Sequence, residues 1–207
     1  MVSPVIAVIL QLVRRLIQNR SNNTCVFLYP ISIFAEMSFP NIATTADIPV
    51  LLSLINSAYR GEASRQGWTT EAHLLTGEKR TDADALNILI EAPDSVFLKI
   101  VNAEGSIDGC VLLQKKQAKL YLGMLSVKPT AQAKGIGRQL LESAEVYAKQ
   151  NQCISIYMTV ISVRHELIEW YERRGYKKTG DTQPFPSHDS FGIPTRPLEM
   201  IVMEKMM

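Results

Sequence analysis

The stretch "VKPTAQAKGIGRQLLESAE", residues 127–145, decides how the rest of the chain is interpreted. An apolar segment precedes it, and a helical pattern follows it. The apolar face of that helix consists of Ile136, Leu140, Leu141, Ala144 and Tyr147. Backbone N–H groups at a helix start can bind an anion, and Gly135 and Gly137 would let an anion come close to the backbone.

Two well-known phosphate-binding loops are absent from this stretch. The dinucleotide fingerprint needs a third glycine where this chain has Leu140, and the pattern G-x-x-x-x-G-K-[ST] does not occur. Lys134 and Arg138 flank the two glycines and add positive charge. From the residues alone, the glycines fit a phosphate cradle and a plain turn equally well.

Strand and helix patterns alternate around this stretch. The segments "SVFLKIV", "IDGCVLLQKK" and "AKLYLGMLSV" are separated by short turns and predict an antiparallel meander over residues 95–127. "CISIYMTVIS" is apolar on both faces, which predicts a central strand. Together with the helical segments they predict an α/β fold, with a mixed, mostly antiparallel central sheet and helices on both faces.

Capping residues and apolar spacing predict the other elements. Thr45 is the predicted N-cap of a helix that reaches Ala58, and Thr81 is the predicted N-cap of "DADALNILIEA". The segment "HELIEWYERRGY" is predicted to be a helix that ends at Gly175. A loop, "PFPSHDSFGIPTRP", and a last strand, "EMIVMEK", complete the chain.

Composition excludes several classes of protein. A net charge of +2 over 207 residues, with basic and acidic residues mixed, gives no reason to expect a nucleic-acid groove. Cys25, Cys110 and Cys153 are too few and too far apart for a disulfide framework or a zinc site, and we expect no metal. Cys110 and Cys153 lie in apolar strands and are predicted to be core residues. The cysteine count fits a reducing cytoplasm.

The first 36 residues differ from the rest. The apolar run "VIAVILQLV" is interrupted by Arg14 and Arg15, short of the roughly 20 residues that a spanning helix needs. We expect residues 1–36 to be a poorly ordered extension or a read-through upstream of Met37. A membrane-surface helix and a helix packed on the domain are less favoured alternatives. Residues 37–207 are predicted to form a single domain.

A wider pattern resolves the choice that the two glycines leave open. The residues Gln132-Ala133-Lys134-Gly135-Ile136-Gly137 resemble the Q/R-x-x-G-x-G/A signature of the GNAT superfamily, the GCN5-related N-acetyltransferases. "YLGMLSVKP" is similar to the strand before that signature, and "ELIEWYERRGYKKTG" is similar to the tyrosine-bearing helix after it. The resemblance covers roughly residues 39–206. Segments such as "INSAYRGEASRQGWTTE" resemble small bacterial members of the superfamily.

The resemblance implies acetyl-CoA as acyl donor. Its pyrophosphate would bind the backbone of Gln132, Ala133, Lys134, Gly135, Ile136, Gly137 and Arg138. Its pantetheine arm would pair with Leu125, Ser126 and Val127, in a slot between two strands that splay apart. A backbone N–H near Met124 or Leu125 would polarise the thioester carbonyl.

The resemblance also implies an enzyme with a tyrosine as general acid. Tyr171, in "EWYERRGY", occupies the position of that tyrosine, and a phenol stays protonated at neutral pH. The family often has Asn and Ala where this chain has Arg164 and Leu167. Arg164 could reach an anionic group, or it could be a solvated charge at a helix start.

The predicted acceptor is a primary amine on an unidentified small molecule or peptide. Tyr59, Arg60 and Trp68 lie in an early loop that would shape the acceptor pocket. Glu62 and Glu71 in the same loop are candidate bases, although a surface position is favoured for both. His165 is a further candidate base, for which an exposed position is favoured.

Three alternatives stay open at this level. A non-catalytic module of the same fold could sense acetyl-CoA, an enzyme could use a longer acyl-CoA, and a generic α/β domain would have no CoA site. We expect a cytoplasmic protein without a nucleic-acid partner or membrane association, and a homodimer is a further candidate assembly.

Overall fold

The central sheet contains the antiparallel meander that the sequence predicts. In the computed structural model, which describes residues 40–186 and 192–207, seven strands pair in the order β1-β3-β4-β5-β6-β9-β7. The strands are β1 (Asn41–Ile42), β3 (Ser95–Val101), β4 (Ile107–Lys116), β5 (Lys119–Val127), β6 (Ser155–Ile161), β7 (Lys177–Pro184) and β9 (Glu199–Met206). Among the strand pairs of these described residues, only β5–β6 is parallel. The mixed, mostly antiparallel fold class is confirmed.

Helices cover both faces of this sheet, as predicted. They are α1 (Ile48–Tyr59), the short α2 (Gly61–Ser64), α3 (Ala83–Glu91), α4 (Ile136–Gln150) and α5 (His165–Glu172). Side chains alternate across β4, so Val111 and Leu113 pack with α4 and α5, whereas Cys110 and Leu112 pack with α1 and α3. Two apolar cores therefore lie on opposite faces. Cys110 and Cys153 are buried, as predicted.

The predicted N-caps of the first two helices are each wrong by one residue. Thr44 rather than Thr45 begins the first helical turn, and its amide donates to Asp47 Oδ2 at 2.8 Å. Asp82 rather than Thr81 caps α3, because its carboxylate accepts from the Ala85 amide at 2.8 Å. The Thr81 backbone is held by Asn56 instead.

One edge strand was not predicted. All residues of β7, "KKTGDTQP", are exposed, so the segment lacks the apolar alternation that identifies a strand. Its backbone pairs with β9, with a register shift between Lys178 and Thr182. Backbone pairing, rather than burial of side chains, therefore defines this strand.

The early loop and the tail of the chain meet in a small second sheet. β2 (Leu75–Thr76) pairs antiparallel with β8 (Ile193–Pro194). Residues 40–186 and 192–207 belong to one compact unit, Ser38–Met207. The expectations for residues 1–36 lie outside the described residues, and the division into an extension and a single domain stays a prediction.

Candidate active site

The sheet opens between β5 and β6. The two strands pair only over Lys119–Tyr121 and Ser155–Tyr157, although β5 continues to Val127 and β6 to Ile161. Among the residues that the structure describes, the second half of β5 therefore has no strand partner on this side. The resemblance implied two strands that separate at this place, which periodicity alone could not predict.

A bulge in β5 lies inside the opening. Met124 has a φ of 47°, which is unusual for a residue other than glycine, and the register with β4 shifts between Cys110 and Leu112. Beyond the bulge, the Lys128 amide donates to the Asp108 carbonyl of β4 at 2.9 Å. Because backbone groups alternate in an antiparallel pair, the Val127 amide faces away from β4, toward the opening.

The glycine loop follows directly and leads into α4. Gly135 has a φ of +83°, and a Cβ built there meets no atom within 4 Å. No side chain caps the helix, so the amides of Ile136, Gly137 and Arg138 are without intrahelical acceptors. A Cβ on Gly137 would make ordinary contact with Trp170 at 3.5 Å. Gly135 is thus the position where backbone conformation requires glycine.

A cavity of about 370 Å³ joins these parts. It is lined by the predicted residues Tyr59, Trp68, Leu125, Val127, Gln132, Ala133, Gly135, Ile136, Gly137, Arg138 and Tyr171, and by Thr69, Ala131, Leu167, Trp170 and Arg174. Five predicted residues are not in its lining: Arg60, Glu62, Glu71, Ser126 and Lys134. The Ser126 hydroxyl donates to the Met124 carbonyl at 3.0 Å, and Lys134 is exposed.

Tyr171 lies in the wall of this cavity. Its side chain is buried, and its ring makes edge contacts with Trp170 at 5.0 Å and Tyr176 at 5.8 Å. Burial raises the pKa of Tyr171 well above its ordinary value, and the nearby Tyr59 adds to the shift. In the described part of the chain, no residue hydrogen-bonds to its hydroxyl. The phenol is therefore a protonated donor that is available to a ligand.

Tyr59 approaches the cavity from the opposite face of the sheet. Its hydroxyl donates to the Leu125 carbonyl at 2.5 Å, beside the bulge. Burial raises the pKa of Tyr59 as well, so this phenol is also protonated. The hydrogen bond ties α1 to the open edge of β5.

Gln132 has a role that its position in the signature did not indicate. Its Nε2 donates to the Val127 carbonyl at 3.2 Å and to the Thr69 hydroxyl at 3.0 Å, while its Oε1 accepts from the Trp68 amide at 3.0 Å. This single side chain holds the early loop against the end of β5. Thr69 was not identified from the sequence, because nothing in its local pattern signals the contact.

Arg174 is a further cavity residue that the sequence analysis missed. Its guanidinium lies 3.6 Å from the Trp170 ring centroid, and Nη1 donates to the Trp170 carbonyl at 2.7 Å. Burial, together with the charges of Arg173 and Arg138, lowers the pKa of Arg174. Its Nε is buried without a hydrogen-bond partner in residues 40–186 and 192–207. The paired arginines in "ERRG" were the available signal.

Glu71 is buried, so the surface position favoured for it is wrong. Its Oε2 contacts Arg60 Nη1 and lies 3.3 Å from Arg80 Nη1, while Arg164 Nη1 lies 3.9 Å from Oε1. The guanidinium groups of three arginines therefore surround one carboxylate. An attacking amine would have to displace one of them to reach it.

Arg164 is not a solvated charge at a helix start. It is 2% exposed, and its Nε donates to Glu166 Oε1 at 2.6 Å. Its other nitrogens donate to the carbonyls of Trp68 and Thr69 at 3.3 and 3.2 Å. Those contacts hold the early loop against the start of α5. His165 is exposed, as favoured, and the Glu62 side chain is 91% exposed beside Arg65.

Comparison with known proteins supports the interpretation of this geometry. A sequence model of the acetyltransferase (GNAT) family matches residues 56–176, more than half of the chain, and spans the bulge, the glycine loop and Tyr171. The chain belongs to the GNAT acetyltransferase family. This acetyltransferase is thus an acyltransferase, as the resemblance predicted. No curated protein matches its sequence.

Solved structures share the fold at low identity. The ribosomal-protein-alanine N-acetyltransferase from Brucella melitensis is 20% identical, with a TM-score of 0.62 over 82% of this chain and 99% of that one. An N-acetyltransferase from Staphylococcus aureus Mu50 is 17% identical, with a TM-score of 0.62 over 81% and 97%. A provisionally assigned streptothricin acetyltransferase from Bacillus anthracis, in complex with acetyl coenzyme A, is 19% identical, with a TM-score of 0.50 over 58% and 67%. In the part of this acetyltransferase that the structure describes, no helix is long and apolar enough to span a membrane.

Proposed function

We propose that this acetyltransferase transfers the acetyl group of acetyl-CoA to a primary amine, with Tyr171 as general acid. One observation carries the proposal: a single cavity brings together the glycine loop, the unpaired edge of β5 and the Tyr171 side chain. Each of these parts serves one chemical requirement of acyl transfer.

The residues present fit the charged end of coenzyme A. Gly135 leaves open space beside the uncapped start of α4, where backbone amides and the helix dipole favour a pyrophosphate. Arg138 and Arg174 both line the cavity, and each is near enough to the other for their charges to interact. A bound phosphate would relieve that repulsion and supply a partner for the buried Arg174 Nε. Arg174 thus joins the predicted cofactor residues.

The open edge of β5 fits the pantetheine arm. The Val127 amide faces the opening, and within the described residues β5 has no partner from β6 beyond Tyr121. An amide-bearing chain can pair with such an edge as an added strand. This part of the proposal retains Leu125, Ser126 and Val127 as the binding segment.

The groups at the inner end of the cavity would carry out the acyl transfer. Acetyl-CoA supplies an acetyl thioester. A backbone N–H at the Met124–Leu125 bulge would polarise its carbonyl oxygen. As the amine nitrogen bonds to the carbonyl carbon and the C–S bond breaks, the Tyr171 hydroxyl would donate its proton to the departing sulfur. The nitrogen would lose one proton to water, and Tyr171 would regain a proton from water. The amine must arrive neutral. Because Glu62 is exposed and both Glu71 oxygens have guanidinium groups close by, we assign neither as the base.

Two measurements test the proposal. Calorimetric titration should show CoA binding to the wild-type protein, and thiol release should accompany addition of an amine from a chemically diverse panel. Tight binding of acetyl-CoA without release for any amine would favour the sensing module instead. Faster release from propionyl- or butyryl-CoA would point to a longer acyl donor. The cytoplasmic location and the homodimer stay predictions.

A further inference from the structure

Arg80 lies outside the cavity lining, against the lining residue Tyr59, on the face that α1 and α3 cover. Its guanidinium lies over the Tyr59 ring at 4.3 Å from the centroid, and its Nη1 lies 3.3 Å from Glu71 Oε2. Its backbone amide donates to Asn56 Oδ1 at 2.7 Å, which fixes the segment to α1. Two contacts therefore hold the side chain, and a third fixes its backbone.

Neutralising Glu71 does not account for this arrangement. Arg60 already contacts the same carboxylate oxygen from a fully buried position, and Arg164 lies near the other oxygen. The Nε of Arg80 is buried and has no hydrogen-bond partner in the described ranges. The side chain still keeps 27% of its surface exposed. Arg80 is therefore a preorganised, partly exposed cation with an unpaired donor.

Arg80 lies on the same face of the sheet as two tyrosines at the point where β5 and β6 separate. Tyr121 and Tyr157 form the last parallel pair before β5 and β6 separate, and their rings lie 5.4 Å apart. Both residues alternate with core residues of the α4–α5 face, so their side chains lie on the α1–α3 face. The Arg80 pKa is lowered by burial but raised overall by Glu71 and by Tyr59, Tyr121 and Tyr171, which places all three phenols within its electrostatic reach.

We propose that the acceptor amine also carries a carboxylate group, and that Arg80 binds this carboxylate. The inference rests on the proposed function, because it assigns the substrate class of the same site. A guanidinium recognises a carboxylate through parallel N–H donors, and partial burial strengthens the contact. The same charge disfavours polyamines and other polycationic amines. Amino acids and peptides with a nearby free carboxylate are the substrate class that fits.

The test compares acids with their amides. Acetyl-CoA-dependent thiol release is measured with α-, β- and γ-amino acids and dipeptides, each beside its carboxamide. For the best acceptor, we expect kcat/KM for the acid to exceed that for the amide by at least about tenfold, the effect of a single charged contact. Arg80→Gln should remove this preference by slowing the acid alone, and Arg80→Lys should keep part of it.

A binding readout accompanies the kinetics. Melting temperatures are measured with CoA and the N-acetylated acids or amides, and only the acids should stabilise the wild-type protein. Lys79→Gln is the matched control, because it removes an exposed positive charge from the neighbouring residue. This variant should keep both the higher kcat/KM for acids and the selective stabilisation by N-acetylated acids. Melting curves without ligand show whether Arg80→Gln folds.

The outcomes separate this inference from the proposed function. Two results would overturn the carboxylate site while the acetyltransferase activity still stands. One is a kcat/KM for the acid that is close to that for its amide, and the other is a preference for the acid that persists in Arg80→Gln. Absence of thiol release for every amine would overturn the proposed function. In that case an Arg80-dependent stabilisation by acids would still support the carboxylate site, and its absence would contradict it.

Discussion

The two ends of the candidate site are built from different parts of the protein. The donor end consists mostly of consecutive backbone, from the β5 bulge through the glycine loop to the start of α4. The proposed acceptor end lies outside the cavity lining and consists of side chains from separate segments, in which Arg60, Arg80 and Arg164 surround Glu71. Backbone recognition depends on a short, local pattern, whereas the acceptor end depends on long-range packing. A change in the donor end should therefore affect CoA binding. A change in the acceptor end should affect the stability of the protein or its selectivity for acceptors.

The largest effect is expected at the acceptor end. Glu71→Gln would leave three neighbouring guanidinium groups without their shared anion, so the free energy of unfolding should fall by about 3–5 kcal/mol. Urea denaturation measures it. Glu62→Gln changes an exposed carboxylate and should shift the free energy of unfolding by less than about 0.5 kcal/mol. Equal effects of the two changes would show that Glu71 has no special role in the fold.

Gly135→Asp should abolish most of the CoA binding at the donor end. The new carboxylate would lie in the proposed phosphate cradle, and we expect CoA affinity to fall at least about 100-fold, as for two unfavourable charge contacts. Gly105→Asp is the matched control, since Gly105 also has positive φ, +82°, and open space, but lies in the β3–β4 turn. Both variants should lose similar stability, and only the first should lose binding in calorimetric titration. Retained affinity in Gly135→Asp would return the loop to a plain turn.

Tyr171→Phe separates chemistry from binding. Loss of a general acid typically costs about 10²-fold or more, so kcat should fall by that factor while CoA affinity changes little. Tyr176→Phe is the control, because Tyr176 is also buried and its hydroxyl has no partner within the described residues. It should keep its kcat and gain up to about 1 kcal/mol of stability. A similar loss of kcat in both variants would mean that Tyr171 acts through packing.

Substitution of Arg174 tests whether its guanidinium contacts CoA at the donor end. Arg174→Gln should weaken CoA binding about tenfold, and the loss should shrink at high salt because the contact is ionic. Arg173→Gln removes the neighbouring exposed charge, which pairs with Glu169 at 3.8 Å, and should have little effect. If both changes act equally, the contribution is a general electrostatic one and not a contact of Arg174.

The smallest effect is expected in the pH dependence. The general acid must be protonated, and the Tyr171 pKa is raised above its ordinary value, so activity lost by deprotonation should begin only above about pH 10. Between pH 7 and 9.5 kcat should not fall, and kcat/KM should rise as the acceptor amine loses its proton. A descending limb in this range that Tyr171→Phe abolishes would contradict the raised pKa.

Features that depend on local sequence patterns are predicted well. The meander, the central strand β6 and the glycine loop depend on local periodicity and spacing, and each is found where the pattern indicates. Gly135 is identifiable because one backbone conformation requires it. The cap positions at Thr44 and Asp82 differ from the prediction by one residue, since neighbouring hydroxyl and carboxylate groups compete for the same amides.

Other features depend on contacts that no local pattern records. Arg164 and Glu71 are charged residues in polar segments, and only their meeting across the fold buries them. β7 is a strand because β9 offers a paired edge, although its own side chains are exposed. Arg80 lies in a loop, and its proposed binding role depends on its contact with Tyr59, which is distant in sequence.

In the proposed function, CoA binds to the open backbone of β5 and the start of α4. Amide hydrogen exchange, resolved by residue with NMR, tests it directly. Saturating CoA should slow exchange at Val127 and at Ile136–Arg138, and should leave exchange in the distant edge strand β7 unchanged. Slower exchange elsewhere, with Val127 and the helix start unaffected, would show that CoA binds another part of the protein and would contradict the account.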